Sequence, residues 1–314
     1  MSLGLVIIGR NEAVNLRSLI GLLAEYPFDD IVYVDSDSED ESVPIARSAG
    51  WRVVSLKPNG VLSASAGRAI GTKICETDWI MYLDGDMRPN LDTLAHCKEY
   101  LQIYDGQCIA GITGDIMNVY STHKRRILTQ KSIHGSDAIW FGGAVILKRQ
   151  LVLAAGNWNP NVYANEELDL YARLRKLNSR VLYIHEDLAY HHTNYVPLHK
   201  TALKLLDVFD CNNSRAGSLG LAVRSAIKGG SFREIVSLNP EPFVVPIFTM
   251  LDLSIFYLGS WIVGAALFVI LFLWVARRRG IQYFPVCYLL VLHIIIGLLR
   301  YRDRKVYYFL LSEE

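Results

Sequence analysis

The chain has 314 residues, enough for one large domain or two smaller ones. Its formal net charge is +1, and its first 240 residues hold no basic run interleaved with aromatic residues, so nothing favours nucleic-acid binding. The five cysteines are odd in number and form no CxxC pair, which disfavours a zinc site or disulfide framework and favours a reducing compartment.

Strand-like and helix-like segments alternate from the N-terminus onward. The opening MSLGLVIIGRNE has no basic region ahead of its apolar run, so it is predicted to be a first strand rather than a signal peptide. Strands are predicted at 3–9, 30–36, 51–56, 79–84 and 108–116, and helices at 11–26, 39–50, 63–75 and 91–104. This alternation predicts parallel pairing with helices on the sheet faces, an α/β layered domain over 1–205.

Two long apolar runs follow near the C-terminus. The first extends from Pro242 to Ala276 with Asp252 as its one charge, and the second covers 281–299. Spanning a bilayer takes roughly 20 apolar residues, so both runs qualify, although a buried hairpin of soluble helices is the alternative. The expected order is a linker over 206–242 with surface or membrane-interface helices, a transmembrane region over 243–300 (about two segments, 243–276 and 281–299), and a tail over 301–314.

The segment WIMYLDGDMRPN carries an apolar strand directly into Asp84-Gly85-Asp86. Two neighbouring carboxylates repel each other, so the pattern indicates a metal ion, a solvated surface or a shared proton. Their oxygens suit Mg²⁺ or Mn²⁺, and Gly85 lets the backbone and a diphosphate come close. Arg88 stands where a haloacid dehalogenase would have Thr or Val, which argues against a phosphatase.

A second acidic loop follows the strand IVYV and begins at Asp35. Ligands of α/β sheets bind at the carboxyl ends of strands, so Asp35 and Asp84 are expected to share one cleft. A carboxylate here can accept the imide N–H of uracil. The alternative is a capping loop, with Ser38 or Asp40 capping the next helix and Asn11 capping the first.

The segment ANEELDLYARLRKL predicts a helix capped by Asn165 with Glu166 and Glu167 in its first turn. The helix dipole favours ionised carboxylates there. Such a carboxylate can take a proton from an acceptor hydroxyl, or it can merely complement the dipole. Asp169 and Arg173, four residues apart, are expected to form an ion pair.

Six blocks occur together in one order: VIIGRNEAVNL, IVYVDSDSEDES, SASAGRAIG, WIMYLDGDMRP, FGGAVILKRQLVLAAGNW and NEELDLYARLRKLNSRVLY. They cover roughly residues 3–192 and resemble the family 2 glycosyltransferases, which have the Rossmann-like GT-A fold. The resemblance implies inverting transfer of one sugar from a nucleotide-diphosphate sugar, with UDP the expected nucleotide and a divalent metal (Mn²⁺ or Mg²⁺) as cofactor.

The resemblance also implies residue roles by position. Asn11 and Glu12 would contact the nucleotide, Asp35 would recognise the base, and Arg68 would lie near the nucleotide and the diphosphate. Asp84, Gly85 and Asp86 match the D-x-D: Asp84 and Gly85 would also contact the nucleotide sugar, and Asp86 would be the more direct metal ligand. Gly142 and Gly143 match the acceptor side, and Glu167 of the Glu166-Glu167 pair would be the catalytic base.

The chain departs from the family pattern at three places. The loop after Asp35 lacks the usual glycine, Ala69 replaces the asparagine of the A-R-N block, and the E-D pair is E-E, so that either Glu166 or Glu167 can be the base. The absence of a Q-x-x-R-W motif argues for single-sugar transfer. An inactive membrane-anchored nucleotide-sugar scaffold is the alternative function, and a nucleotidyltransferase is disfavoured by the single glycine in the first block.

Histidines and basic residues give further candidates. His191 ends a predicted strand with His192 and can complete a metal shell or orient phosphate, whereas an ordinary surface pair is the alternative. The run from His123 to Arg126 suits an anionic phosphate on a lipid or simply a solvated face.

The apolar tail implies a membrane location with the catalytic domain on the cytoplasmic face. The expected acceptor is lipid-borne, polyprenyl phosphate or a lipid-linked glycan, in cell-surface polysaccharide or glycolipid synthesis. Arg277–Arg279 and Arg300–Lys305 both favour the cytoplasmic side, which one crossing per apolar run cannot satisfy. Either the first run folds as a hairpin near 258–260 and the second is re-entrant or interfacial, or the charge rule is broken once.

Overall fold

The computed structural model describes residues 1–103, 108–120, 124–127, 134–138, 141–193, 217–280, 283–299 and 305–311. They belong to two compact units. Unit 1 comprises Met1–Tyr195 and Arg302–Glu314, and unit 2 comprises Val196–Tyr301. The predicted boundary at 205 lies outside the described residues.

Unit 1 is built on one mixed sheet. Its described strands are β1 (Leu3–Gly9), β2 (Asp30–Asp35), β3 (Arg52–Leu56), β4 (Trp79–Asp84), β5 (Met87–Pro89), β6 (Ile109–Val119), β7 (Lys124–Ile127), β8 (Ala144–Lys148), β9 (Arg180–His192) and β10 (Tyr308–Leu311). Their order is β10-β3-β2-β1-β4-β8-β6-β9-β5, with β7 beside β6. The α/β prediction is confirmed. The sheet is not parallel throughout, because β8 runs antiparallel to both β4 and β6.

The described helices of unit 1 are α1 (Ala13–Leu23), α2 (Ser42–Ser48), α3 (Ala64–Ile74), α4 (Leu91–Ile103), α5 (Arg149–Ala154) and α6 (Glu166–Lys176). Helix α3 packs very closely on β1 through two glycines. A Cβ added at Gly71 would lie 2.2 Å from Val6 Cγ1, and one at Gly67 would lie 2.9 Å from Ile8 Cγ2. Only a residue without a side chain permits this approach, which brings Arg68 against the sheet.

The predicted caps need correction. Asn11 does not cap α1, because its backbone is left-handed (φ 59°) and its side-chain oxygen accepts the N–H of Glu39. The N–H of Ala13 instead donates to Asp40 Oδ2 at 3.0 Å, and the N–H of Ser42 donates to Asp40 Oδ1 at 2.9 Å. One carboxylate therefore accepts a backbone N–H at the start of both α1 and α2, although the N-cap positions themselves are held by Glu12 and Glu41 and not by Asp40.

Unit 2 is helical in its described part. Its helices are α7 (Ser218–Gly229), α8 (Phe232–Leu238), α9 (Glu241–Tyr257), α10 (Trp261–Arg279) and α11 (Tyr283–Leu299). The predicted segment 243–276 is thus two helices, broken where Gly259 adopts a left-handed φ of 83°. Of the helices described, α10 alone has the length and apolar composition of a membrane-spanning segment, with a mean hydropathy of 1.8. Since α11 has 17 residues, the helix lengths do not support a multi-pass arrangement.

Candidate active site

Two acidic positions meet at one edge of the sheet. Strand β1 is flanked by β2 and β4, and its residues Gly9 and Ile8 pair with Asp35 and Asp84 respectively. All three strands are parallel, so their carboxyl ends coincide and the two acids stand on either side of β1. This is the cleft in which α/β sheets bind ligands.

The loop after β2 is tied to the start of α1. Ser38 Oγ accepts the N–H of Asn11 at 2.8 Å, and Ser42 Oγ accepts the N–H of Glu12 at 2.8 Å. Asp35 is 2% exposed and accepts the N–H of Ser38 at 3.0 Å. These contacts tie together Asn11, Glu12 and Asp35, three of the residues predicted to bind the nucleotide sugar.

Arg68 joins the two halves of the candidate site. Its side chain is 2% exposed, Nη2 donates to Asp84 Oδ1 at 2.8 Å, and Nη1 donates to Glu166 Oε1 at 2.9 Å. Its guanidinium lies 5.1 Å from the ring centroid of Trp158. Burial opposes the charge, but the carboxylates of Asp84 and Glu166 outweigh it and raise the pKa of Arg68. The guanidinium therefore stays charged and holds both carboxylates in place.

The two glutamates at the start of α6 have different surroundings. Glu166 is buried and bonded to Arg68, whereas burial and the neighbouring charge of Glu166 raise the pKa of Glu167 to about 8. Asn165 does not cap α6, because it has a left-handed φ of 62° and makes no side-chain cap. The ion pair of Asp169 with Arg173, at 2.6 Å, is confirmed.

The D-x-D segment is held from both sides. Asp84 uses one oxygen for Arg68, and Asp86 Oδ2 lies 3.0 Å from His191 Nε2. His191 Nδ1 in turn lies 2.9 Å from Asn118 Oδ1, a partner that no sequence pattern indicated. His192 donates its backbone N–H to the carbonyl of Asp86 at 3.1 Å.

Gly85 is required by packing on the protein itself. Its N–H donates to the carbonyl of Ile8 at 2.8 Å, and an added Cβ would lie 2.9 Å from Glu12 Cγ. The predicted explanation, room for a diphosphate, is therefore not needed to account for this glycine. The close approach also brings Glu12 toward the acids. Its pKa is raised by burial and then by the charges of Asp86, Asp40 and Asp84.

The acids fit a divalent cation by their chemistry. Burial raises the pKa of Asp84, and the charge of Asp86 raises it further, so added positive charge would relieve the pair. Asp84 and Asp86 are hard oxygen donors of the kind that Mg²⁺ and Mn²⁺ prefer, with His191 beside them. Within the described residues, no group of three or more His, Cys, Asp or Glu side chains is placed to hold a metal ion by itself.

Gly143 packs directly on Asp84 in the turn that follows Gly142. Its carbonyl accepts the N–H of Asp84 at 3.2 Å, and a Cβ at this position would lie 2.3 Å from Asp84 Oδ2. Gly143 thus contacts the first acid of the D-x-D segment, whereas the resemblance assigns Gly143 to the acceptor side of the site.

Gly143→Ala is expected to displace the carboxylate of Asp84 and to lower kcat/KM by about tenfold or more. The overpacking is expected to cost about 1–3 kcal/mol of unfolding free energy, measured by urea denaturation. Gly21→Ala is the matched control. A Cβ there meets nothing within 4 Å, so this change in α1 is expected to raise stability by about 0.5–1 kcal/mol and leave activity unchanged. Unchanged activity in Gly143→Ala would contradict the role of this contact.

Trp158 was missed as a site residue. It is fully buried beneath Arg68, and its ring centroid lies 5.2 Å from that of Tyr82. Only its place in the block that ends in GNW could have indicated it, because a buried tryptophan is usually a core residue. The basic run lies partly outside the described residues: His123 is not described, and Lys124, Arg125 and Arg126 are described only as backbone of β7.

Comparisons with known proteins agree with this architecture. Residues 5–150 match the model of Glycosyl transferase family 2. An "Uncharacterized glycosyltransferase" of Rickettsia bellii (strain RML369-C) is 36% identical over 80 residues, which are 26% of this chain and 26% of that protein. The match thus spans about a quarter of the length of this curated relative.

Solved structures are similar over nearly the whole chain. The mannosyltransferase PcManGT from Pyrobaculum calidifontis, in complex with GDP-Man and Mn²⁺, superposes with a TM-score of 0.58 at 16% identity, covering 94% of this chain and 86% of that one. TarS 1-349 of S. aureus gives a TM-score of 0.52 at 15% identity, covering 93% and 89%. The same protein has been crystallised in complex with UDP-GlcNAc. At these identities the likeness establishes the fold, which is GT-A-like.

Proposed function

We propose that the protein is an inverting glycosyltransferase, because residues 5–150 match the model of Glycosyl transferase family 2. It moves one sugar from a nucleotide-diphosphate sugar, a UDP-sugar, to a membrane-associated acceptor such as polyprenyl phosphate or a lipid-linked glycan. The observation that carries the proposal is the buried Arg68, which fixes Asp84 of the D-x-D and Glu166 of the E-E pair in one site.

The donor lies at the carboxyl edge of the sheet. The assembly of Asn11, Glu12 and Asp35 receives the nucleotide, with Asp35 accepting from the base. Asp86 and Asp84 would hold a divalent cation, with His191 beside them, and the cation would neutralise charge on the leaving diphosphate. Similar proteins crystallised with GDP-Man and Mn²⁺ or with UDP-GlcNAc support this class of donor.

Glu167 serves as the general base. Glu166 is ion-paired with Arg68, whereas Glu167 has a pKa of about 8, suited to accepting a proton near neutral pH. Glu167 takes the proton of the acceptor hydroxyl, and the oxygen attacks the anomeric carbon from the face opposite the diphosphate. The bond between the anomeric carbon and the diphosphate oxygen breaks as the new bond forms, and the nucleotide diphosphate leaves. Gly142 and Gly143 form the acceptor side, and no covalent intermediate with the protein is needed.

The acceptor is assigned from the apolar unit. Helix α10 suits a membrane environment, and the surfaces of α9 and α10 expose many large apolar side chains. A catalytic domain attached to such a unit meets acceptors that reside in the membrane. The catalytic domain then faces the cytoplasm, where nucleotide sugars are made, and the product enters cell-surface polysaccharide or glycolipid.

Release of nucleotide diphosphate tests the donor half of the proposal. Purified full-length protein is offered a panel of UDP- and GDP-sugars with Mn²⁺, Mg²⁺ or EDTA. One donor is expected to give release that EDTA abolishes and that Asp86→Ala lowers by at least about a hundredfold, because a cation and its ligand contribute several kcal/mol to catalysis. Metal-dependent binding of a nucleotide without turnover, even with membrane extract as acceptor, would favour the scaffold alternative. No binding of any nucleotide would contradict the proposal.

A further inference from the structure

The chain returns to the sheet of unit 1 after passing through unit 2. Strand β10 pairs antiparallel with β3, with Tyr308 opposite Leu56 and Leu311 opposite Val53. The pairing continues beyond the strand, because the N–H of Lys57 donates to the carbonyl of Tyr307 at 2.7 Å. Along the chain, unit 2 therefore lies between two segments that contribute strands to the same sheet of unit 1.

This connection restricts how unit 2 can meet a membrane. All strands of one hydrogen-bonded sheet lie on the same side of a bilayer. The chain must consequently leave unit 1 and return to it on the same side of the membrane. It therefore crosses the membrane an even number of times or not at all. A lone crossing by α10, the one helix of spanning length in the described part of the chain, is incompatible with β10.

At the end of the α9–α10 hairpin opposite its turn, ion pairs join the start of α9 to the end of α10. Glu241, the first residue of α9, is 0% exposed and accepts from Arg278 Nε at 2.8 Å and from Arg279 Nε at 3.3 Å. Arg279 Nη2 also donates to Asn239 Oδ1 at 3.3 Å. The start of α9 and the end of α10 thus lie together, at the end of the hairpin that carries Arg277–Arg279.

The turn of the hairpin has the opposite character. Tyr257 is 93% exposed, Leu258 79%, Trp261 68% and Ile262 87%, and the sequence has no charge between Asp252 and Arg277. Gly264 lets the helices approach each other near this turn, because a Cβ there would lie 2.5 Å from the ring of Phe256. Such an exposed apolar and aromatic surface fits the hydrocarbon and interface of a bilayer.

We propose that α9 and α10 form a hairpin that inserts into the bilayer turn first and returns to the face on which the sheet of unit 1 lies. The proposal rests on the membrane association in the proposed function and adds its direction. It places Arg277–Arg279 on the same face as the sheet, as the distribution of basic residues requires. The occupant of the apolar surface is lipid.

Topology is measured on the full chain expressed in cells, with one epitope tag at each end. Sealed vesicles of one orientation are treated with protease. Both tags are expected to be digested from the same face and to the same extent. Digestion of one tag with protection of the other would overturn the proposal.

The insertion of the turn is tested by charge. Leu258→Lys with Ile262→Lys is expected to lower the membrane-bound fraction by about tenfold or more, because lysine is strongly disfavoured in the hydrocarbon core. Val14→Lys, at an 84% exposed apolar position of α1, is the matched control and is expected to leave the bound fraction unchanged. Equal partition of both variants, or recovery of the wild type in the soluble fraction, would overturn the hairpin. Either result would leave donor turnover, the test of the proposed function, unaffected.

Discussion

Replacing Glu167 by Gln is expected to lower kcat by about 10²–10⁴-fold while leaving the fold intact, because the amide cannot accept the proton of the acceptor hydroxyl. The pKa of about 8 sets the pH dependence: kcat/KM of the wild type rises with pH up to about 8, as Glu167 of the free enzyme ionises. Glu167→Gln removes this rise. Steady-state kinetics between pH 5.5 and 9 with the active donor measure both effects.

The same pKa predicts how stability depends on pH. The folded chain retains a proton on Glu167 that the unfolded chain releases near pH 4.5, so the unfolded state binds fewer protons and the free energy of unfolding falls as pH rises from about 4.5 to 8. Glu167→Gln is expected to flatten this slope. Loss of turnover in Glu166→Gln with full activity in Glu167→Gln would contradict the assignment and make Glu166 the base.

Replacing Arg68 by Leu is expected to abolish turnover and to destabilise unit 1 by about 3–5 kcal/mol. The change leaves the carboxylates of Asp84 and Glu166 in the site without their shared cation, and an unpaired buried charge is more costly than the pair was favourable. Urea denaturation with a probe in unit 1 measures the free energy of unfolding. Donor turnover is measured at urea concentrations below the unfolding transition.

Two further variants separate the loss of the bridging geometry from the cost of the unpaired buried charge. Arg68→Lys keeps the charge but cannot reach both carboxylates in the planar geometry of a guanidinium, so an intermediate loss is expected. In Arg68→Leu with Glu166→Gln, one of the stranded charges is gone, and part of the stability is expected to return without the activity. A fully active Arg68→Leu enzyme would contradict the bridging role of this residue.

The sequence predicted most of the sheet because the information is local. Apolar β-branched runs such as those of β1, β2 and β4 specify strands by composition, and the alternation with helices specifies their pairing. Strand β10 was missed because it lies beyond the apolar helices and its partner β3 is about 250 residues earlier in the chain. No local pattern marks such a distant edge pairing.

In the candidate site, too, some features follow from the local sequence and others depend on packing between distant segments. The positions of Asp35 and Asp84 at strand ends follow from strand boundaries, which the sequence indicates well. The link from Arg68 to Glu166 depends on how closely α3 packs on β1, which the glycines of SASAGRAIG permit but do not specify. The failures at Asn11 and Asn165 have one cause. Both residues adopt a left-handed backbone, which asparagine tolerates as readily as it caps a helix.

Sugar transfer into membrane lipid tests the central claim most directly. Membranes containing the wild type, Asp86→Ala or Glu167→Gln are incubated with radiolabelled UDP- and GDP-sugars and Mn²⁺, and the lipids are then extracted with organic solvent. Label from one donor is expected in the lipid extract with the wild type and at background level with both variants. Label in the extract at the wild-type level with either variant, or none with any donor while the protein is folded and membrane-bound, would contradict transfer at this site to a membrane acceptor.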